Sequence, residues 1–188
     1  MGHMSHCLRN APTGIGAGEQ WLTERTITMG KEVKTNAMRI LDRMKIPYKL
    51  NQYECKEFID GVTLADQMGQ SYDMTFKTLV TVGKSRQYYV FAIPIDQELD
   101  MKKAAREVGE KNIEMLPVKD INKVTGYIRG GCTPIGMKKQ YPTVIHQSAL
   151  DLDEMIVSGG RLGEQIFLKP EDLQRATSGK FADIIKEH

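Results

Sequence analysis

Apolar and polar positions fall into short runs whose period changes repeatedly along the chain. Ala37, Ile40, Leu41 and Met44 recur at the spacing of one helix face, with Thr35 or Asn36 as N-cap and Pro47 just past the end. A short strand is expected at 48–53 and a helix at 63–68 closed by Gly69. The β-rich runs 76–82 and 88–93 flank a Gly83-Lys84 turn, and Pro94 stops the second, which is the pattern of a hairpin. Asp100 can cap a helix whose apolar stripe is Met101, Ala104, Ala105 and Val108, ended by Gly109. Beyond it the pattern predicts a strand at 113–116, a helix at 120–124 before Gly126, and strands at 143–146, 155–158 and 165–168. A helix with proline in its first turn follows at 170–176, and a small final helix at 181–185. Short strands interleaved with short helices define an α+β fold with a mixed or largely antiparallel sheet.

The first 28 residues break this regularity. Met1-Gly2-His3-Met4 resembles a cloning scar, and Gly14-Ile15-Gly16-Ala17-Gly18 lies in a stretch without apolar period. The expectation is a tag remnant with a disordered or non-native extension over 1–28, and one domain over 29–188. Trp21, the sole tryptophan, then says nothing about the core.

Composition narrows the class. The chain has 188 residues, 40% hydrophobic and 27% charged, which suits one globular domain with a real core. No apolar run approaches the length of a membrane span. A formal net charge of +2 gives little general affinity for nucleic acid, though it leaves room for a local basic face. Cys7, Cys55 and Cys132 are too few and too irregularly spaced for a disulfide framework or a zinc site, which favours a reducing, cytoplasmic setting. His146 is the one histidine inside the expected domain, so a histidine metal site or a Ser-His-Asp triad would rest on it alone.

Chemistry concentrates in two glycine-rich loops, Gly130-Gly131-Cys132-Thr133-Pro134-Ile135-Gly136 and Val157-Ser158-Gly159-Gly160-Arg161-Leu162-Gly163. Glycine lets backbone approach a ligand without a Cβ in the way. Cations lie beside both loops: Arg129, Lys138 and Lys139 by the first, Arg161 in the second. Neither loop matches a P-loop or dinucleotide fingerprint, so the pair fits an anion or ester pocket. Lys77, flanked by Phe76 and Thr78, is either a solvent-facing lysine on a half-buried strand or a fixed cation. Cys132 has glycine neighbours able to donate N–H to an oxyanion but no recognisable base, which favours a small buried hydrophobe over a nucleophile. Tyr53 and Phe58 could line a ligand site or stack on a base, though core packing is the more common fate of such residues.

These residues resemble the YbaK family of Cys-tRNA(Pro) deacylases, from about Lys34 to the C-terminus. The resemblance is carried by Lys34-Thr35-Asn36-Ala37, Phe76-Lys77-Thr78-Leu79, Leu99-Asp100-Met101-Lys102-Lys103, Thr125-Gly126-Tyr127, the Gly130–Gly136 loop, Lys138-Lys139, Tyr141-Pro142-Thr143-Val144-Ile145, Val157-Ser158-Gly159-Gly160 and Lys180-Phe181-Ala182-Asp183-Ile184. It implies a single α+β domain with a mixed, curved β-sheet flanked by short helices. It implies trans-editing: hydrolysis of the ester that wrongly joins cysteine to tRNA(Pro), with no cofactor and no metal. The implied catalytic residues are Lys77, Gly130 and Ser158. The implied substrate-binding residues are Tyr53, Phe58, Thr78, Gly131, Pro134 and Gly159. In that family the substrate's own thiolate is thought to attack its ester carbonyl, so no protein nucleophile is needed. The implied partners are the aminoacylated 3′ end of tRNA and prolyl-tRNA synthetase, with neither DNA nor a membrane. A related deacylase acting on an alanyl or seryl ester, and a non-catalytic module binding aminoacyl-tRNA or a nucleotide, are the alternative readings.

Overall fold

The apolar run Tyr88–Pro94 forms a strand buried along nearly its whole length, so it needs cover on both faces. Alternation supplies this: Tyr89, Phe91 and Ile93 face one apolar cluster, while Ala92 faces another. The protein is described here from a computed structural model covering residues 33–187. The expectations for residues 1–28, Trp21 included, lie outside the described residues.

The elements run α1 (Asn36–Arg43), β1 (Lys49–Gln52), α2 (Gly61–Met68), β2 (Phe76–Gly83), β3 (Tyr88–Pro94), α3 (Met101–Glu107), β4 (Ile113–Met115), α4 (Val118–Thr125) and β5 (Thr143–His146). A 3-10 turn at Gln147–Asp151 leads to β6 (Met155–Ser158), β7 (Glu164–Leu168), α5 (Pro170–Thr177) and β8 (Lys180–Ala182). The strands form two sheets, one ordered β1-β7-β6 and the other β4-β2-β3-β5-β8. The second is mixed: β4, β2 and β3 are antiparallel, whereas β3-β5 and β5-β8 run parallel. An isolated parallel bridge, Thr75 to Ile156, ties the start of β2 to β6 and brings the sheets together.

The larger core fills the space between α1, α5 and the two sheets, with Met38, Leu41, Phe76, Ile145, Ile166 and Leu173 buried in it. The other face of the five-stranded sheet packs Phe91, Ile93 and Val144 against Ala104 and Ala105 of α3. Asp100 caps α3 by accepting from the Lys102 and Lys103 N–H groups, at 2.8 and 2.9 Å. Helix α2 begins at Gly61 rather than at 63, because Asp60 is its cap and accepts from Thr63 N–H. The expected helix at 181–185 is instead strand β8 followed by extended chain. Lys180, Phe181 and Ala182 pair with Val144, Ile145 and His146, and Ile185 bridges Leu99. Phe181, Ile184 and Ile185 have helical spacing, but β5 offers this segment an open edge whose hydrogen bonds outweigh a one-turn helix.

Candidate active site

The N-terminus of α1 gathers the two glycine loops. Thr35 Oγ1 accepts from Met38 N–H and donates to the Gly159 carbonyl at 2.6 Å. Asn36 Nδ2 donates to the Gly136 carbonyl at 2.5 Å, and the Tyr127 hydroxyl donates to the Ile135 carbonyl at 2.6 Å. The Thr-Asn pair is therefore a clamp as well as a cap. The loops touch directly: a Cβ on Gly131 would lie 2.7 Å from Arg161 Cα, and one on Gly159 would lie 2.8 Å from Glu164 Cβ.

In front of these loops lies a cavity of about 500 Å³. Tyr53, Phe58, Lys77, Thr78, Gly130 and Ser158 all border it, so the structure unites residues from β1's exit, β2, β6 and both loops. Gly131, Pro134 and Gly159, expected as substrate contacts, do not border it. All three are buried, and the two glycines are needed where one loop backbone presses on the other. They hold the wall rather than form its surface.

Lys77 is half-buried in β2 and makes no hydrogen bond or ion pair among the described residues. Burial pulls its pKa below the usual 10.5, against the opposing pull of Asp96 and Glu98. The reading as an ordinary solvent-facing lysine thus gives way to a desolvated cation turned to a cavity. Burial also raises Tyr53, with a smaller contribution from Cys55. Cys132 borders the cavity, but burial pushes its thiol up to about 12, so it stays protonated near neutrality. His146 lies outside the cavity lining, its Nδ1 2.8 Å from Ser148 Oγ and its Nε2 3.5 Å from Asp183. Among the described residues no group of His, Cys, Asp and Glu could hold a metal ion.

Further residues complete the lining. Gln165 stands opposite Ser158 across the β6–β7 pair and exchanges two amide hydrogen bonds with Gln70, at 2.7 and 3.0 Å. Glu164 is buried, with Oε1 2.7 Å from Arg161 Nη2, and its backbone carbonyl accepts from Gly159 N–H, closing the loop on itself. Met115, Leu116, Val118 and Ile121 of β4 and α4 build an apolar side wall. No local pattern in the sequence pointed to Glu164 or to the β4–α4 wall.

Two sheets flanked by short helices, with a lysine-bearing, glycine-walled cavity, define a small α+β domain. A family model described as the aminoacyl-tRNA editing domain matches residues 60–176. A protein of Enterococcus faecalis (strain ATCC 700802 / V583), provisionally named the Cys-tRNA(Pro)/Cys-tRNA(Cys) deacylase EbsC, is 47% identical over 152 residues, covering 80% of this chain and 93% of that protein. Two solved structures share the fold. One is of a provisionally assigned trans-editing enzyme for prolyl tRNA synthetase, at TM-score 0.69 and 22% identity over 82% of this chain and 99% of the other. The other is of the hypothetical protein APE2540, at TM-score 0.73 and 20% identity over 80% and 99%. The chain belongs to the aminoacyl-tRNA editing domain family.

Proposed function

We propose that this protein is a trans-editing hydrolase that removes cysteine from mischarged Cys-tRNA(Pro). The observation that carries the reading is Lys77: a desolvated cation whose side chain makes no hydrogen bond or ion pair among the described residues, in a cavity shared with Thr78, Gly130 and Ser158. A cation so placed suits the negative charge that develops on an ester carbonyl oxygen under attack. Burial holds the Cys132 thiol neutral, which favours a nucleophile brought by the substrate. The substrate's thiolate then forms a bond to its own carbonyl carbon. The C–O bond to the tRNA breaks, the 3′ oxygen leaves and takes up a proton, and the cysteinyl group departs as a cyclic thioester.

Lys77 stabilises the oxyanion, Gly130 offers a backbone N–H, Ser158 and Thr78 orient the ester, and Tyr53 lines the site. Holding the thiolate and carbonyl at near-attack geometry supplies much of the acceleration. The related protein's printed name, which covers Cys-tRNA(Pro) and Cys-tRNA(Cys), supports the substrate class. A net charge of +2 gives weak attraction to tRNA, so prolyl-tRNA synthetase is the expected delivery partner, in a cytoplasmic setting. The test is single-turnover deacylation of Cys-tRNA(Pro) and Ala-tRNA(Pro), with prolyl-tRNA synthetase present. Loss of cysteine alone supports the reading; efficient alanine release assigns a different ester, and no hydrolysis of either leaves a binding module.

A further inference from the structure

The cavity mouth carries a feature that oxyanion chemistry does not use. Phe58 is 43% exposed, and the Arg129 guanidinium lies 4.1 Å from its ring centroid. Met115 and Val118, 47% and 56% exposed, border the same cavity, so apolar surface gathers at its rim beside a cation. Gly130 makes the arrangement possible. At φ +83°, a Cβ there would lie 2.6 Å from Leu162 Cδ2 and 2.9 Å from Phe58 Cδ2, so any side chain would displace the ring. Beyond Phe58, the Arg129 side chain makes no hydrogen bond or ion pair among the described residues.

We propose that Phe58, with Arg129 over it, is the stacking platform for the terminal base of the tRNA acceptor end, with Arg129 also reaching the adjoining phosphate. This rests on the deacylase reading. A flat aromatic group joined to an anion is the part of an aminoacyl-tRNA that matches an exposed ring beside a guanidinium. The cysteinyl ester, small and polar, matches the end of the cavity at Lys77 and Ser158. The two parts of the substrate are thus divided along the cavity.

The test uses an uncharged tRNA acceptor-stem oligonucleotide with 2-aminopurine in place of its terminal adenine. Wild-type protein quenches this fluorescence on stacking. Phe58→Ala loses the quench and binds roughly tenfold to a hundredfold more weakly, the range of one base–aromatic stack. Phe58→Tyr, which keeps the ring, restores both, and thermal unfolding verifies that each variant folds. Arg129→Ala weakens binding and lowers its salt dependence by about one phosphate contact. Unchanged quenching in Phe58→Ala, or none with wild type that nonetheless deacylates Cys-tRNA(Pro), overturns the platform. Quenching that depends on Phe58, in a protein that cleaves no ester, supports the platform and refutes the reaction instead.

Discussion

Replacing Lys77 by methionine separates catalysis from stability. The side chain keeps its length and apolar stem while losing a charge that no described group pairs. Against an oxyanion about 4 Å away, at an effective dielectric near 20, one positive charge contributes about 4 kcal/mol. That corresponds to roughly a thousandfold in the single-turnover rate constant. Stability should move the other way or stay level, because the desolvation removed with the cation outweighs the opposing pull of Asp96 and Glu98. A gain of about 1 kcal/mol would raise Tm by about 2–4 °C in a domain of this size. Rapid-quench deacylation and thermal unfolding by circular dichroism read the two quantities on one preparation. Activity within about threefold of wild type would refute the oxyanion role. A Tm lowered by more than about 4 °C would show that the lysine holds the fold instead.

The pH profile of kcat/KM should rise as the substrate thiol ionises and fall on the alkaline side below 10.5, because burial makes Lys77 lose its proton earlier than an ordinary lysine; the alkaline limb disappears in Lys77→Met. Cys132→Ala should keep turnover within about threefold, since a thiol at about 12 is protonated at working pH; a hundredfold loss would reinstate it as nucleophile. Gly131→Ala should destabilise by about 1–3 kcal/mol in denaturant titration, because the new methyl meets the Arg161 backbone. Burial lowers His146 below its ordinary 6.5, so the unfolded chain takes up the proton first. Its contribution to stability is complete above 6.5 and is lost as pH falls toward the lower folded value. Urea midpoints at about pH 7.5 and about pH 5.5 should therefore differ more in wild type than in His146→Asn.

The elements whose signals are local were legible in the chain. Asp100 before an apolar stripe, Gly69 after one, and the Gly83-Lys84 turn each fix a boundary through capping or turn chemistry within a few residues. Lys77 and Ser158 were legible as candidates through their motifs. What failed depended on distant pairing. Strand β8 looks helical until the open edge of β5 is known, and the division of the strands into two sheets follows from β1 choosing β7. Glycine was ambiguous for a different reason: the same residue type borders the cavity at Gly130 and admits another backbone at Gly131 and Gly159. Only the contacts of each distinguish those two uses.

The pairing of β1 has a consequence for synthesis. Its sole strand partner among the described residues is β7, with Lys49 opposite Phe167 and Gln52 opposite Glu164. A nascent chain therefore carries its first strand unmatched until nearly the whole domain has left the ribosome. The cavity inherits this order, because Tyr53 hangs from the end of β1 and Ser158 from the strand on the other side of β7. A chain released early would have Lys77 in its hairpin but no opposing wall. The protein's activity toward misacylated tRNA is thus tied to completion of its own translation.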